Sequence, residues 1–261
     1  MKVLILPDAA QAVGRVTREI RDLVAQRPDA RLGLATGGTM EPVYAALVAG
    51  DVDLSRVTTF NLDEYVGLGP DHPQSYRAYM NTRLFGPKNM PAAQTHLPRG
   101  DADDPAAEAA RYEAAICEGG IDLQLLGLGA NGHIGFNEPS SSLGSLTRVK
   151  TLTNSTRDAN ARFFGPGEDV PRYAITMGIA TIMQARHVVL LATGAAKADA
   201  VAAMIEGPIT AICPASILQM HPRATIVVDE AAAARLTLRD YYQTVHPGGA
   251  EPPPMGRSVR P

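Results

Sequence analysis

Short apolar runs and amphipathic stretches alternate along almost the whole chain. Residues 3–6 form a compact apolar run, the pattern of a buried strand. Residues 9–26 then place Val13, Val16, Ile20 and Val24 on one stripe at helical spacing. The alternation continues with a strand at 31–35 and a helix at 41–49, then a strand at 57–62. Helices follow at 75–85 and 105–118, separated by a Pro-rich connection at 86–104 that has little periodicity. A short apolar run at 121–128 reads as the central strand. Beyond it, strands are predicted at 173–177 and 187–192 with a helical piece at 179–185 between them. A helix at 195–205, a short one at 214–220, a strand at 224–228 and a helical or strand-helix piece at 231–244 complete the pattern. Strand followed by helix, repeated with no internal repeat and no domain linker, predicts an α/β fold. The expected architecture is one doubly wound domain over residues 1–245, its mainly parallel sheet flanked by helices. The Pro- and Gly-rich residues 246–261 are expected to be a disordered tail.

Polar residues interrupt this pattern at the strand ends, where open α/β sheets bind ligands. Residues 125–139 read LLGLGANGHIGFNEP: Gly127 and Gly129 break the central strand, and Asn131, His133, Asn137 and Glu138 then fall within eight residues. A histidine titrates near neutral pH and a carboxylate can orient it, so this loop reads as a site rather than a glycine-rich surface turn. The strand at 31–35 leads through Thr36, Gly37, Gly38 and Thr39 into a helix. That arrangement suits an anion, although an ordinary tight turn with Thr39 as helix cap has the same signature. The strand at 57–62 ends in Asp63, Glu64 and Tyr65, two acids that are costly to bury without a purpose. Lys197 falls in the first turn of a helix, where the dipole disfavours a cation unless an anion is bound there. Residues 140–171 are polar and irregular, with one short helix expected over 155–164 and Ser155 or Thr156 near its cap. A segment of this kind beside a site is often a lid, here about 152–175, and Arg148, Lys150, Arg157 and Arg162 give it a local basic excess.

Charge and composition narrow the partners. With 24 Lys and Arg against 27 Asp and Glu, a formal charge of −3 argues against nucleic-acid or anionic-membrane surfaces. No apolar run approaches the ~20 residues of a membrane span and no signal peptide is read, so a cytoplasmic protein is expected. Cys117 and Cys213 are far apart and are expected to pack as buried apolar residues. The six histidines are scattered and match no metal-ligand spacing, so no metal site is expected.

Taken in order, TGGT at 36–39, FNLDEYVGL at 60–68, GANGHIGFNEP at 129–139, SLTRVKTLT at 145–153 and TRDANARFF at 156–164 resemble the glucosamine-6-phosphate deaminases. The resemblance runs from about residue 3 to 245. It implies conversion of D-glucosamine 6-phosphate and water to D-fructose 6-phosphate and ammonia in amino-sugar catabolism. It implies no cofactor, an amino sugar phosphate as the small-molecule partner, and it admits a homo-oligomer. By the same resemblance, His133 assists ring opening, oriented by Glu138 and Asn131, and Asp63 moves the proton from C2 to C1. Thr36, Gly37, Gly38, Thr39, Arg162 and Lys197 hold the phosphate. Ser141, Arg148, Lys150 and Thr151 match positions that bind N-acetylglucosamine 6-phosphate as an activator in some hexameric members. Asn131 stands where some members carry Asp, so His133 is held by one charge and one amide, and a smaller rise in its pKa is expected.

Two rival readings use the same residues. A 6-phosphogluconolactonase shares the glycine loop and histidine, but such enzymes typically have Arg at the place of Tyr65 and lack a Phe-Asn-Glu-Pro sequence like that at 136–139. A non-catalytic sugar-phosphate sensor would keep the phosphate turn and tend to lose the base, whereas Asp63, His133 and Glu138 are all present.

Overall fold

The computed structural model describes residues 1–161, 164, 165 and 168–250, with only the backbone described at 155, 159 and 160. In chain order the elements are β1 (Lys2–Leu6), α1 (Ala9–Gln26), β2 (Arg31–Leu34), α2 (Glu41–Ala49), β3 (Thr58–Asn61), β4 (Asp63–Tyr65), α3 (Tyr76–Met80), β5 (Thr95–His96), α4 (Pro105–Cys117) and β6 (Leu123–Gly127). They continue with β7 (Arg148–Thr151), α5 (Asn154–Ala161), β8 (Tyr173–Thr176), α6 (Ile179–Met183), β9 (Val188–Ala192), α7 (Ala198–Ile205), β10 (Ala224–Asp229) and α8 (Arg239–Val245). A π-helical turn, Asn81–Phe85, prolongs α3, and 3-10 turns occur at Ala195–Lys197 and Pro214–Met220.

The main sheet has seven strands in the order β1-β10-β9-β6-β2-β3-β5, every pair parallel. Helices flank it, which buries both faces of the inner strands. All five residues of β9 and all six of β10 are buried, as a covered parallel sheet requires. On α1 the buried stripe is Ala12, Val16, Ile20 and Val24, and the Asp8 side chain caps the helix by accepting from Gln11 N at 2.8 Å.

Chain order places the site. From β2 the chain moves outward through β3 to β5, then returns to β6 on the other side of β2 and moves through β9 to β10. The loops after β2 and β6 therefore leave neighbouring strands in opposite directions. A crevice opens between them at the carboxyl ends.

A second sheet, β4-β8-β7, is antiparallel and was not expected from the sequence. Its β8 forms where a strand is predicted, at 173–177, but pairs here and not in the main sheet. One residue, Leu62, separates β3 from β4: its N–H donates to Leu34 O, and its carbonyl accepts from Met177 N. The chain thereby switches sheets just before Asp63. Across the small sheet Asp63 pairs with Thr176 and Thr176 with Arg148, while Tyr65 pairs with Ala174 and Ala174 with Lys150. Arg148 and Lys150 thus share one face, as their spacing predicts, and it is the face that carries Asp63.

Other differences are local. Residues 231–235 form turns rather than a helix, with Ala232 N bound to Asp229, and α8 begins only at Arg239. Cys213 is buried, but Cys117 is exposed at the end of α4. Residues 247–249, placed in the tail by sequence, form a 3-10 turn whose Gly249 carbonyl accepts from Arg15 at 2.8 Å; the tail beyond Ala250 lies outside the described residues. Within the expected lid, Leu152 and Val170 are buried with Tyr65, Phe136 and Ala174 in a small second core. No helix among the described residues is long and apolar enough to cross a membrane.

Candidate active site

The crevice at the carboxyl ends of β2 and β6 is a cavity of about 610 Å³. Six segments line it: the turn after β2, the start of β4, the loop after β6, and single residues from α3, α5 and the 3-10 turn before α7. Thr36, Gly37, Gly38, Thr39, Asp63, Asn131, His133 and Lys197 all face this one space.

The turn after β2 is fixed from behind. Gly37 has φ +107°, a region that favours glycine, and its carbonyl accepts from Tyr79 Oη at 3.0 Å and from Met40 N at 2.9 Å. Thr39 does not cap α2; Met40 precedes the helix and no side chain caps it, leaving that helix start to the cavity. Lys197 sits on the 3-10 turn before α7, and Gly194 anchors the turn through its N–H, 3.0 Å from Asp229. The ammonium is half-buried, and burial lowers its pKa.

Asp63 is buried at the first position of β4. Burial, then the charge of Glu64, pushes its carboxyl up to about 8, and the Phe136 N–H partly offsets this. The close approach of the β6 loop depends on Gly135 at φ +55°, where a Cβ would stand 3.2 Å from Thr176 Oγ1 and 3.4 Å from Asp63 Oδ2. Glu64 points elsewhere. It accepts from the N–H groups of Tyr65, Tyr76 and Arg77, each at 2.9 Å, and so holds the start of α3; burial leads in raising it to about 7. The two acids at 63–64 therefore have different surroundings: one faces the cavity and the other braces a helix.

The loop after β6 carries a relay. Asn131 Oδ1 lies 2.6 Å from His133 Nδ1, and Asn131 Nδ2 donates to Glu138 Oε2 at 3.0 Å. The amide orientation that satisfies both neighbours makes Oδ1 the acceptor, so the neutral ring carries its proton on Nδ1 and keeps a lone pair on Nε2. Glu138 is buried, with Oε2 3.6 Å from His133 Nδ1. The expected rise in the His133 pKa does not occur. Burial lowers it and outweighs the opposing charge of Glu138, while Lys197 lowers it further. Asn137 is structural: its Nδ2 donates to Ile134 O at 2.9 Å and Met177 O at 2.8 Å, closing the loop onto the small sheet.

Two lining residues escaped the sequence reading. Tyr76 is stacked on Phe136, ring centroids 6.0 Å apart, with its hydroxyl 3.3 Å from that of Tyr65. Thr156 enters from α5 and donates from its hydroxyl to Glu138 Oε1. The cap of α5 is Thr153 rather than residue 155 or 156, its Oγ1 accepting from Thr156 N at 3.2 Å. Arg162 lies outside the described residues. Ser141, Arg148, Lys150 and Thr151 do not line the cavity. Ser141 is buried with its hydroxyl unpaired among the described residues, and burial lowers the pKa of Arg148. Among the described residues, no three His, Cys, Asp or Glu side chains are grouped so as to hold a metal ion. The cavity thus combines a carboxyl group that titrates near neutrality, an imidazole of fixed tautomer, and an anion-accepting turn with a cation. That set suits proton transfers on a small phosphorylated substrate.

Comparison with known proteins adds three findings. A sequence model of the family described as glucosamine-6-phosphate isomerases/6-phosphogluconolactonase matches residues 8–227. A glucosamine-6-phosphate deaminase of Rhodopirellula baltica is 56% identical over 244 residues, covering 92% of this chain and 97% of that protein. One of Cellvibrio japonicus is 55% identical over 252 residues, covering 94% and 95%. Among solved structures, one described as a monomeric glucosamine-6-phosphate deaminase superposes with a TM-score of 0.87 at 43% identity, covering 90% of this chain and 100% of that one. A 6-phosphogluconolactonase from Trypanosoma cruzi reaches a TM-score of 0.74 at 20% identity, covering 90% and 97%, a likeness of fold alone.

Proposed function

The chain belongs to the family of glucosamine-6-phosphate isomerases and 6-phosphogluconolactonases, and we propose that its cavity converts D-glucosamine 6-phosphate and water to D-fructose 6-phosphate and ammonia. The phosphate rests on residues 36–39 with Lys197 supplying charge, and Arg162 is assigned to the same group by resemblance. His133 Nε2 accepts the proton of the anomeric hydroxyl and passes it to the ring oxygen, opening the pyranose to the aldehyde. Asp63 then removes the C2 proton, the C1 carbonyl oxygen takes up a proton, and an enolamine forms. Return of the C2 proton from Asp63 to C1 leaves a protonated imine at C2. Water adds to that carbon, ammonia leaves, and a proton is released as the C2 ketone forms, balancing the one taken up at the C1 oxygen.

The observation that carries this reading is that Asp63 and His133 line one cavity together with the turn at 36–39 and Lys197. A base is most effective when its pKa lies near the working pH, and Asp63 at about 8 meets that condition where an exposed aspartate would not. Buried Phe136, backed by Tyr65, gives the site an apolar wall on the side of the small sheet, which limits water at the enolamine stage.

The test is incubation with D-glucosamine 6-phosphate while ammonia and fructose 6-phosphate are followed together, beside 6-phosphogluconolactone as control. Equal amounts of ammonia and fructose 6-phosphate are expected. Lactone hydrolysis without ammonia release from the amino sugar would overturn the proposal.

A further inference from the structure

The two oxygens of Glu138 serve different parts of the molecule. Oε2 receives Asn131 Nδ2 at 3.0 Å and faces His133. Oε1 is met from α5, where Thr156 donates its hydroxyl to it and Thr153 Oγ1 lies 3.2 Å away. Thr153 Oγ1 is also 3.3 Å from Thr156 Oγ1, and a hydroxyl has one proton, so Thr153 donates either to Glu138 or to Thr156, while Thr156 makes the closer contact with Oε1 and is its principal donor. Glu138 and Thr156 are both buried, and Thr156 itself faces the cavity. A buried carboxylate oxygen that loses its principal donor must turn toward the remaining one, here Thr153, to stay paired. That rotation moves the other oxygen, and through it Asn131 and the ring.

We propose that Thr156 is a positioning residue: from α5 it fixes the rotamer of Glu138, and through Asn131 it aligns His133, so that the seating of α5 and the orientation of the imidazole are linked. The linkage deepens the reaction assigned above and rests on that reading for its catalytic meaning. The charged groups facing the ring are Glu138, from its own loop, and Lys197, from the turn before α7. Asp63 shares the cavity from β4.

The test compares Thr156→Val, which keeps the shape and removes the hydroxyl, with Thr156→Ser, which keeps the hydroxyl. One readout is steady-state kinetics. The other is the NMR titration of the His133 ring in the unliganded protein, assigned with His133→Gln. Loss of a hydrogen bond to a charged group should lower kcat about tenfold in the Val variant, with a smaller change in KM, and the Ser variant should recover it. The His133 midpoint should move in the Val variant, because the carboxylate whose charge acts on the ring is no longer held in place, and should stay at the parent value with Ser. A Val variant with parental kcat and titration overturns the proposal. So does an equal loss in both variants, which would mark a packing role. If the Val variant does not fold, Thr156→Ala is judged by the same titration. The titration needs no substrate, so a parent protein that releases no ammonia would overturn the reaction and still leave this linkage to be decided.

Discussion

His133 Nδ1 lies 2.6 Å from the side-chain oxygen of Asn131, so the imidazole is held by a neutral amide and not by a charge. The nearest carboxylate among the described residues, Glu138, is a further ångström away at 3.6 Å, beyond hydrogen-bond distance of the ring. Burial therefore prevails, and the ring stays neutral further into the acid range than a free histidine.

Replacing Asn131 by Asp should reverse that balance. A carboxylate beside Nδ1 favours the imidazolium, so the His133 midpoint should rise, read by NMR in the unliganded protein. A second effect limits the gain. The atom replacing Nδ2 would stand about 3.0 Å from Glu138 Oε2, and two carboxylates that close share a proton. The expected outcome is a raised His133 midpoint together with a new coupled titration. A midpoint that falls or does not move would reject the account.

Lys197 tests the anion site. It is half-buried beside a glycine turn that brings no charge of its own, and the sugar phosphate would supply the charge that its position calls for. Substitution of Lys197 by Ala removes one charge-assisted contact. KM for the amino sugar phosphate should rise about 10- to 100-fold, with kcat changing less, and inhibition by inorganic phosphate should weaken in parallel. Unchanged KM and unchanged phosphate inhibition would remove Lys197 from that role.

Much of this is legible in the sequence, and the exceptions share a cause. Strands β1, β9 and β10 announce themselves as apolar runs because they are covered on both faces, and α1 as a stripe with Asp8 ahead of it. The small sheet does not, since β4 is three residues long and its partner β8 lies more than a hundred residues away, so neither periodicity nor local pairing reveals it. The two-residue β5 is hidden in the same way within the Pro-rich connection. Gly100 supports β4 from that connection. A Cβ there would stand 2.2 Å from Tyr65 O and 2.5 Å from Leu68 O, a constraint no local motif records. In the site, Asp63, Asn131, His133 and Glu138 were legible because polar residues crowd a strand end. Tyr76 and Thr156 were not, since each lies at a helix start where a capping or core reading explains it equally well.

Asp63 joins the chemistry to the stability of the fold. Asparagine at this position keeps the shape, but it cannot take a proton from carbon. Turnover should fall by about 10²–10⁴-fold with substrate binding retained, and near-normal turnover would remove Asp63 as the base. In the parent, kcat/KM should rise with pH toward about 8 as the carboxyl ionises, and that limb should vanish in the variant. Stability should move the other way. The folded protein holds the Asp63 proton up to about 8, against an ordinary value of 3.8, so folding binds a proton between those limits. The stability this provides is complete below pH 3.8 and is lost as pH rises through about 8. Glu64 acts in the same direction between 4.5 and about 7. His96, His133 and His187 act oppositely, but only below their ordinary value of 6.5, since all three are lowered. The window from pH 6.5 to 8 is therefore governed by the two carboxyl groups. Across it the melting temperature of the parent should fall while that of Asp63→Asn falls less, so that the inactive variant is the more stable protein and its lead is larger at pH 8 than at pH 6.5. A lead that does not grow with pH would mean that Asp63 is already ionised in the folded protein, and its use as a base poised near neutrality would have to be given up.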